Sequence, residues 1–279
     1  EPVPHVISRL LYEEIVCAAL REDAPFGDPF GEAFQGGASG HFLAGGDGIL
    51  CGGPVAVEVF RQVDPSVSVS FSPDGCRVKR GDRVGEASGP AGSLLRAERV
   101  ALNFLQRLSG VATAASLYAS LLSAYGTKLL DTRKTTPLLR VLEKYAVRVG
   151  GGSNHRFSLS DGILIKENGI RAAGGIALAV AAARERAHHL IRVEVEAETL
   201  SDVEAAVGAG ADAVLLDNMP PSMVREAVAR FGGTVLLEAS GGIHLGNVEE
   251  YARTGVAAVA VGAITHSAPA LDLSFELST

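Results

Sequence analysis

Apolar positions along the first ninety residues change period repeatedly, as expected of a mixed α+β unit. Val6, Leu10, Leu11, Ile15 and Leu20 recur at helical spacing and predict a helix over residues 6–21, broken at Pro25 and Gly27. Residues 66–71 alternate with period two, predict a strand, and run into the turn Ser72-Pro73-Asp74-Gly75. Residues 82–87 read as another strand, ended by Gly89-Pro90. From Ser93 a long helix is predicted. Ala97, Val100, Ala101, Phe104, Leu105 and Leu108 share one face of it, and Gly110 is expected to interrupt it near a domain boundary.

Beyond that helix, short apolar runs alternate with helical stretches. Strands are predicted over residues 128–132, 145–149, 162–166, 191–196, 213–217, 235–239 and 257–261, and helices over 172–189, 201–209, 221–231 and 245–254. Repeated β-α units argue a parallel sheet, open or closed. The polar residues favour closure. Asp131, Arg133 and Lys134 follow the first strand, and Gly150-Gly151-Gly152 with His155 and Arg156 follows the second. Lys166, Glu196 and Asp217 end the next three, Ser240-Gly241-Gly242 follows the sixth, and Gly262 the last. (β/α) barrels build their sites at this carboxyl end of the strands, with phosphate groups often held by the last two loops. A barrel is therefore expected.

At 279 residues the chain has room for one large or two ordinary domains. Its 47% apolar content, 33 glycines and 5% aromatic residues fit a soluble α/β enzyme. No apolar run reaches the roughly 18 residues of a membrane span, and no secretory leader is visible. Cys17, Cys51 and Cys76 have neither disulfide nor zinc spacing, so reduced thiols and a cytoplasmic setting are expected.

The net charge of −7 argues against nonspecific nucleic-acid binding but conceals an asymmetry. Residues 93–171 hold 12 Lys+Arg against 5 Asp+Glu, while the rest of the chain holds 13 against 27. A basic segment inside an acidic protein points to a local anion site. Arg140, Lys144 and Arg171 are expected on helix surfaces instead.

Glu194, Glu196 and Glu198 alternate with apolar residues, so they share a strand face that points inward or toward the barrel mouth. Glu194 is expected in a structural ion pair. Glu196 and Asp217, at adjacent strand ends, are candidates to hold Mg²⁺, a hard cation that takes one or two carboxylates plus substrate oxygens. Ser240-Gly241-Gly242 before a helix offers backbone N–H groups to an anion. His155, between Asn154 and Arg156, is expected to touch ligand. His188, His189, His244 and His266 lack partners at metal-ligand spacing.

The segments Val59-Phe60-Arg61-Gln62, Ala97-Glu98-Arg99, Asp131-Thr132-Arg133-Lys134-Thr135-Thr136-Pro137, Leu142-Glu143-Lys144-Tyr145-Ala146 and Gly150-Gly151-Gly152-Ser153-Asn154-His155-Arg156 together resemble the quinolinate phosphoribosyltransferase family. Leu164-Ile165-Lys166, Val193 to Glu196, Leu215 to Asn218 and Glu238 to Gly242 extend the resemblance over nearly the whole chain. It implies an N-terminal α/β sandwich domain over residues 1–110 and an incomplete (β/α) barrel over 111–267, with the tail 268–279 joining the first domain. It implies transfer of a phosphoribosyl group from phosphoribosyl pyrophosphate to quinolinate, with decarboxylation, for NAD biosynthesis. Arg99, Arg133, His155, Arg156 and Lys166 would surround the dicarboxylate, with Lys134 between it and the donor. Glu196 and Asp217 would meet the ribose hydroxyls and Mg²⁺-pyrophosphate, and Ser240, Gly241 and Gly262 the 5′-phosphate. A homodimer is implied, with Arg99 reaching the neighbouring subunit's barrel. Leu138, Gly169 and Pro29 depart from the family pattern.

The chemistry fits the residues independently. Both substrates are polyanions, and the planar guanidinium binds carboxylates bidentately. As pyrophosphate leaves, nearby carboxylates stabilise an oxocarbenium-like C1′. The pyridinium that forms absorbs the electrons released with CO₂. Three other readings compete: a Schiff-base lyase using Lys134 or Lys166, a non-catalytic nucleotide sensor, and a phosphoribosyltransferase paralogue associated with molybdate transport.

Overall fold

A computed structural model describes residues 6–34 and 36–278, which divide into two compact units. The first runs to Ser116 and takes in Thr135–Gly151 and the chain from Ile264 onward; the second comprises Leu117–Lys134 and Gly152–Ala263.

The first unit carries α1 (Glu13–Asp23), β1 (Gly37–Ala44), β2 (Gly48–Ile49), α2 (Gly53–Val63), β3 (Ser68–Phe71), β4 (Arg77–Val78) and β5 (Arg83–Pro90). The C-terminal strand Leu273–Ser278 pairs antiparallel with β1, β1 with β5, and β5 with β3. Period-two burial along β1 turns Phe42 and Ala44 inward. Phe42 is fully buried, with ring centroids of Phe60, Phe71 and Phe275 at 6.0, 4.7 and 4.6 Å, so four phenylalanines make one core cluster. The helix expected over residues 6–21 starts later: Arg9–Leu11 form a 3₁₀ turn, and Tyr12 leaves helical geometry to bury its ring before α1.

The long helix α3 (Ala91–Leu122) runs through Gly110 without interruption, contrary to expectation. Glycine is there for contact: a Cβ at 110 would lie 2.1 Å from the Pro269 carbonyl oxygen. Gly110→Ala should therefore destabilise the protein by about 1–3 kcal/mol through overpacking, read as a lowered Tm.

Residues 145–149, read as a strand, end the helix α4 (Arg140–Val149). Seven of its ten residues are buried, Glu143 and Lys144 among them, and the short apolar run 145–149 taken alone fits a strand as well as a helix. Lys144 is thus buried, not a surface cation. The buried Glu143 carboxylate accepts from Thr136 N–H at 3.0 Å and from the Arg107 guanidinium at 2.6 Å, which satisfies its charge.

The second unit holds β6 (Lys128–Leu130), β7 (Ile163–Ile165), α5 (Glu167–Ala173), α6 (Ile176–Arg186), β8 (Val193–Ala197), α7 (Leu200–Gly208), β9 (Ala213–Asp217), α8 (Pro221–Phe231), β10 (Leu236–Ser240), α9 (Val248–Ala252) and β11 (Ala258–Ala260). The six strands are parallel in the order β6-β11-β10-β9-β8-β7, an incomplete (β/α) barrel that stays open between β6 and β7. Ser153 fills part of the gap as a single parallel bridge to Leu130. The triple glycine therefore follows a helix, and one bridge residue replaces the expected second strand. Gly174-Gly175 divides the helix expected over 172–189 into α5 and α6. A capping box between Thr199 and Asp202 starts α7, and Pro221 opens α8, so both helices begin directly beyond a strand's carboxyl end. Among the described residues no helix is long and apolar enough to cross a membrane.

Candidate active site

The alternation that buries Val193, Val195 and Ala197 outward turns Glu194 and Glu196 to the inner face of the sheet. Strand register sets Glu238 and Leu215 at one level and Ser240 and Asp217 at the next. These inward positions line a cavity of about 560 Å³ at the carboxyl ends of the strands, within the usual range for small-ligand sites.

The cavity brings together nine of the residues singled out in the sequence: Arg133, Lys134, His155, Arg156, Lys166, Glu196, Asp217, Ser240 and Gly241. Gly262 follows β11 but is not in the lining, and Arg99 is exposed on α3 in the first unit.

Asp131 is fully buried just beyond β6 and organises the loop that fills the barrel gap. Its carboxylate accepts from the His155 backbone N–H at 2.8 Å and from Asn154 Nδ2 at 2.6 Å. Arg156 Nη1 donates to the Gly162 carbonyl at 2.7 Å. Burial lowers the Arg156 pKa, the neighbouring Arg133 guanidinium lowers it further, and Glu194 opposes both. Two guanidinium groups held close enough to repel are preorganised for an anion. Lys134 is exposed, and its backbone N–H donates to Thr132 Oγ1 at 3.0 Å. Lys166 forms an ion pair with Glu196.

Asp217 accepts from Asn218 Nδ2 at 2.8 Å, and Asn218 N–H donates to the Ser240 carbonyl at 2.8 Å. Gly241 follows at φ 89°, and a Cβ there would lie 2.2 Å from Asn218 Oδ1. This position belongs to glycine on both counts. Glu196 and Asp217 are hard oxygen donors at adjacent strand ends and so fit Mg²⁺ better than a softer metal.

Glu194 lies 2.9 Å from His155 Nε2, so the partner of this carboxylate is a histidine. Sequence reasoning gave Glu238 no role. It is 2% exposed, its Oε1 is 3.7 Å from His155 Nε2, and its pKa is pushed up to about 8 by burial and then by the Glu194 charge. The signal was a lone carboxylate in an apolar strand, two positions before Ser240 and hence on its face. The native state holds this proton where an unfolded chain, with an ordinary carboxyl near 4.3, releases it. Stability from Glu238 is therefore greatest in acid and declines as pH rises toward 8. Glu238→Gln should gain in Tm relative to the parent as pH is raised from 5 to 8, and a constant difference would refute this.

The chain matches the sequence models of the quinolinate phosphoribosyl transferase N-terminal domain over residues 34–109 and C-terminal domain over 111–276. It is 40% identical over 274 residues to a probable nicotinate-nucleotide pyrophosphorylase [carboxylating] of Bacillus subtilis, covering 98% of this chain and 92% of that protein. It is 40% identical over 258 residues to quinolinate phosphoribosyltransferase [decarboxylating] 1b of Nicotiana tabacum, covering 86% and 73%. Among solved structures, the nicotinate-nucleotide pyrophosphorylase of Francisella tularensis superposes with a TM-score of 0.94 at 40% identity over 100% of both chains. That of Ehrlichia chaffeensis gives 0.92 at 33% identity over 98% and 99%.

Proposed function

The chain belongs to the quinolinate phosphoribosyltransferase family, and on that premise we propose how its cavity carries the family's reaction. The protein is a decarboxylating pentosyltransferase of NAD biosynthesis. It transfers a phosphoribosyl group from phosphoribosyl pyrophosphate to quinolinate, and nicotinate mononucleotide, pyrophosphate and CO₂ result. One observation carries the assignment of parts: Arg133, Lys134, Arg156 and Lys166 share a cavity with two strand-end carboxylates and the Ser240-Gly241 turn.

Arg133, Arg156 and Lys166 hold the two carboxylates of quinolinate, with Arg99 supplied by the second subunit of a homodimer. Lys134 stands between the acceptor and the donor. Ser240, Gly241 and Gly262 take the 5′-phosphate, through backbone N–H groups where the turn supplies them. Glu196 and Asp217 face the ribose hydroxyls and stabilise the positive charge that grows at C1′ as the pyrophosphate bond breaks. They are also the residues that would hold Mg²⁺, which would supply positive charge to offset that of the leaving pyrophosphate. The pyridine nitrogen displaces pyrophosphate directly, so no general base and no covalent enzyme intermediate are required. Once quaternised, the ring stabilises the electron pair that CO₂ leaves at C2, and a proton from solvent water then takes the place of the lost carboxylate. Catalysis is by positioning and electrostatics. We place the enzyme in the cytoplasm, in keeping with its three free cysteines.

The test is incubation of the pure protein with quinolinate, phosphoribosyl pyrophosphate and Mg²⁺, with nicotinic acid as the control acceptor. Nicotinate mononucleotide from quinolinate alone is the expected result. Product from nicotinic acid would overturn the acceptor, and product from neither would favour the molybdate-associated paralogue or the sensor.

A further inference from the structure

The chain passes from the second unit to the first at Lys134–Thr135 and again at Ala263–Ile264. Both crossings lie beside residues assigned to the phosphoribosyl donor, Lys134 at the first and Gly262 at the second. Just past each crossing the incoming segment meets the same ion pair, Arg107 with the fully buried Glu143. Glu143 Oε2 accepts from the Thr136 N–H at 3.0 Å, and its Oε1 accepts from Thr136 Oγ1 at 2.6 Å. The Arg107 guanidinium donates to that Oε1 through Nε at 3.0 Å and Nη2 at 2.6 Å. It also donates to the carbonyls of Thr265 and, at 3.0 Å, of Ala268. One pair therefore grips the chain at Thr136, shortly after Lys134, and at Thr265, shortly after Gly262.

Stability alone does not account for this arrangement. A buried ion pair gains little net free energy, because desolvation offsets its attraction. The planar guanidinium fork, by contrast, fixes several acceptors in one geometry. The first segment also needs holding. Thr136–Leu139 forms a turn closed by the Leu139 N–H on the Thr136 carbonyl at 3.1 Å, with Leu138 at φ 67°. That is a left-handed backbone, which a leucine resists. Released from Glu143, the turn would relax toward its N-terminal side, where Lys134 lies.

We propose that Glu143 and Arg107 are positioning residues for the phosphoribosyl donor, which set where Lys134 and Gly262 stand without touching substrate themselves. The inference rests on the assignment of Lys134 and Gly262 to the donor. Arg156 and Lys166, assigned to quinolinate, lie on other segments, so acceptor binding serves as the internal control.

The test compares Thr136→Val, Thr136→Ser and Arg107→Lys with the parent by steady-state kinetics and amide hydrogen exchange. Thr136→Val keeps the shape but loses the hydroxyl bond to Glu143. It should raise the KM for phosphoribosyl pyrophosphate about tenfold and lower kcat, while the quinolinate dissociation constant without donor moves less than threefold. Thr136→Ser restores the hydroxyl and should stay within about threefold of the parent in every constant. Arg107→Lys keeps the charge but loses the fork. It should cost about 10²-fold in kcat/KM for the donor, the scale set by a misplacement of about 1 Å. Exchange should quicken over residues 134–136 alone in Thr136→Val, and over both 134–136 and 262–266 in Arg107→Lys. A Ser variant as impaired as the Val variant, an equal loss of quinolinate and donor binding, or parent-like kinetics in Thr136→Val would overturn the proposal. If Arg107→Lys fails to fold, the two Thr136 variants still decide. Absence of phosphoribosyl transfer in the parent would refute the reading of function, whereas the exchange pattern supports or refutes the grip on both segments without any substrate.

Discussion

Lys134→Ala lowers kcat/KM by about 10²–10³-fold, the usual effect of removing one preorganised electrostatic group, while the protein stays folded with a Tm near that of the parent. The two halves of this expectation have separate grounds. Lys134 is exposed at the cavity rim on a loop whose turn is made by its backbone N–H and Thr132 Oγ1, so truncating the side chain leaves that turn in place. Its ammonium is one of four cationic groups lining the cavity, which on the proposed reading face two polyanionic substrates. A point charge matters most where charge is being redistributed, between the ring that gains a positive charge and the pyrophosphate that departs with a negative one. Steady-state kinetics beside calorimetry separates the two halves. Near-normal turnover would remove Lys134 from the chemistry and favour the neighbouring Arg133 in its place.

Gly241→Ala should be nearly as damaging by a different route. The backbone at 241 is left-handed, which costs a residue with Cβ about 1–2 kcal/mol, and the new methyl would collide with Asn218. Relief requires the turn to open or Asn218 to move, and Asn218 holds both Asp217 and the Ser240 carbonyl. Strain and overpacking together amount to about 3 kcal/mol, equivalent to roughly a hundredfold weaker binding of phosphoribosyl pyrophosphate. Quinolinate binding in the absence of donor should change little. Isothermal titration with each substrate alone distinguishes the cases, and an equal loss for both would mean that the turn serves the cavity as a whole.

Much of the second unit was legible because polar residues interrupt apolar runs at strand ends, and each interruption survives as a cavity wall. Lys166, Glu196 and Asp217 stand where the strand-end reading put them. Residues 145–149 were misread because a short apolar run is ambiguous by itself, and the i, i+3, i+4, i+7 spacing of Leu142, Tyr145, Ala146 and Val149 shows only over the longer stretch. Lys144 was misplaced because most of α4 is buried, polar residues included, which residue spacing does not reveal. Gly110 was misread because a helix-breaking tendency is local, whereas its contact lies about 160 residues away at Pro269. Glu238 could not be assigned from sequence, since its state depends on Glu194 and His155, which approach only when three separate segments fold together. His155 was correctly placed in the cavity, but its nitrogens' partners are a product of loop geometry that no residue spacing encodes.

The open barrel leaves two sheet edges, and both edge strands, β6 and β7, are three residues long. A free edge is a template on which another molecule's strand can add, and the hazard grows with the number of unpaired amides in a row. Here Ser153 already occupies part of the β6 edge, and β7 offers too few groups for lasting association. The missing closure therefore carries little risk of fibre-like assembly. It should register instead in hydrogen exchange, with β6 and β7 amides opening well before those of β9 at the middle of the sheet.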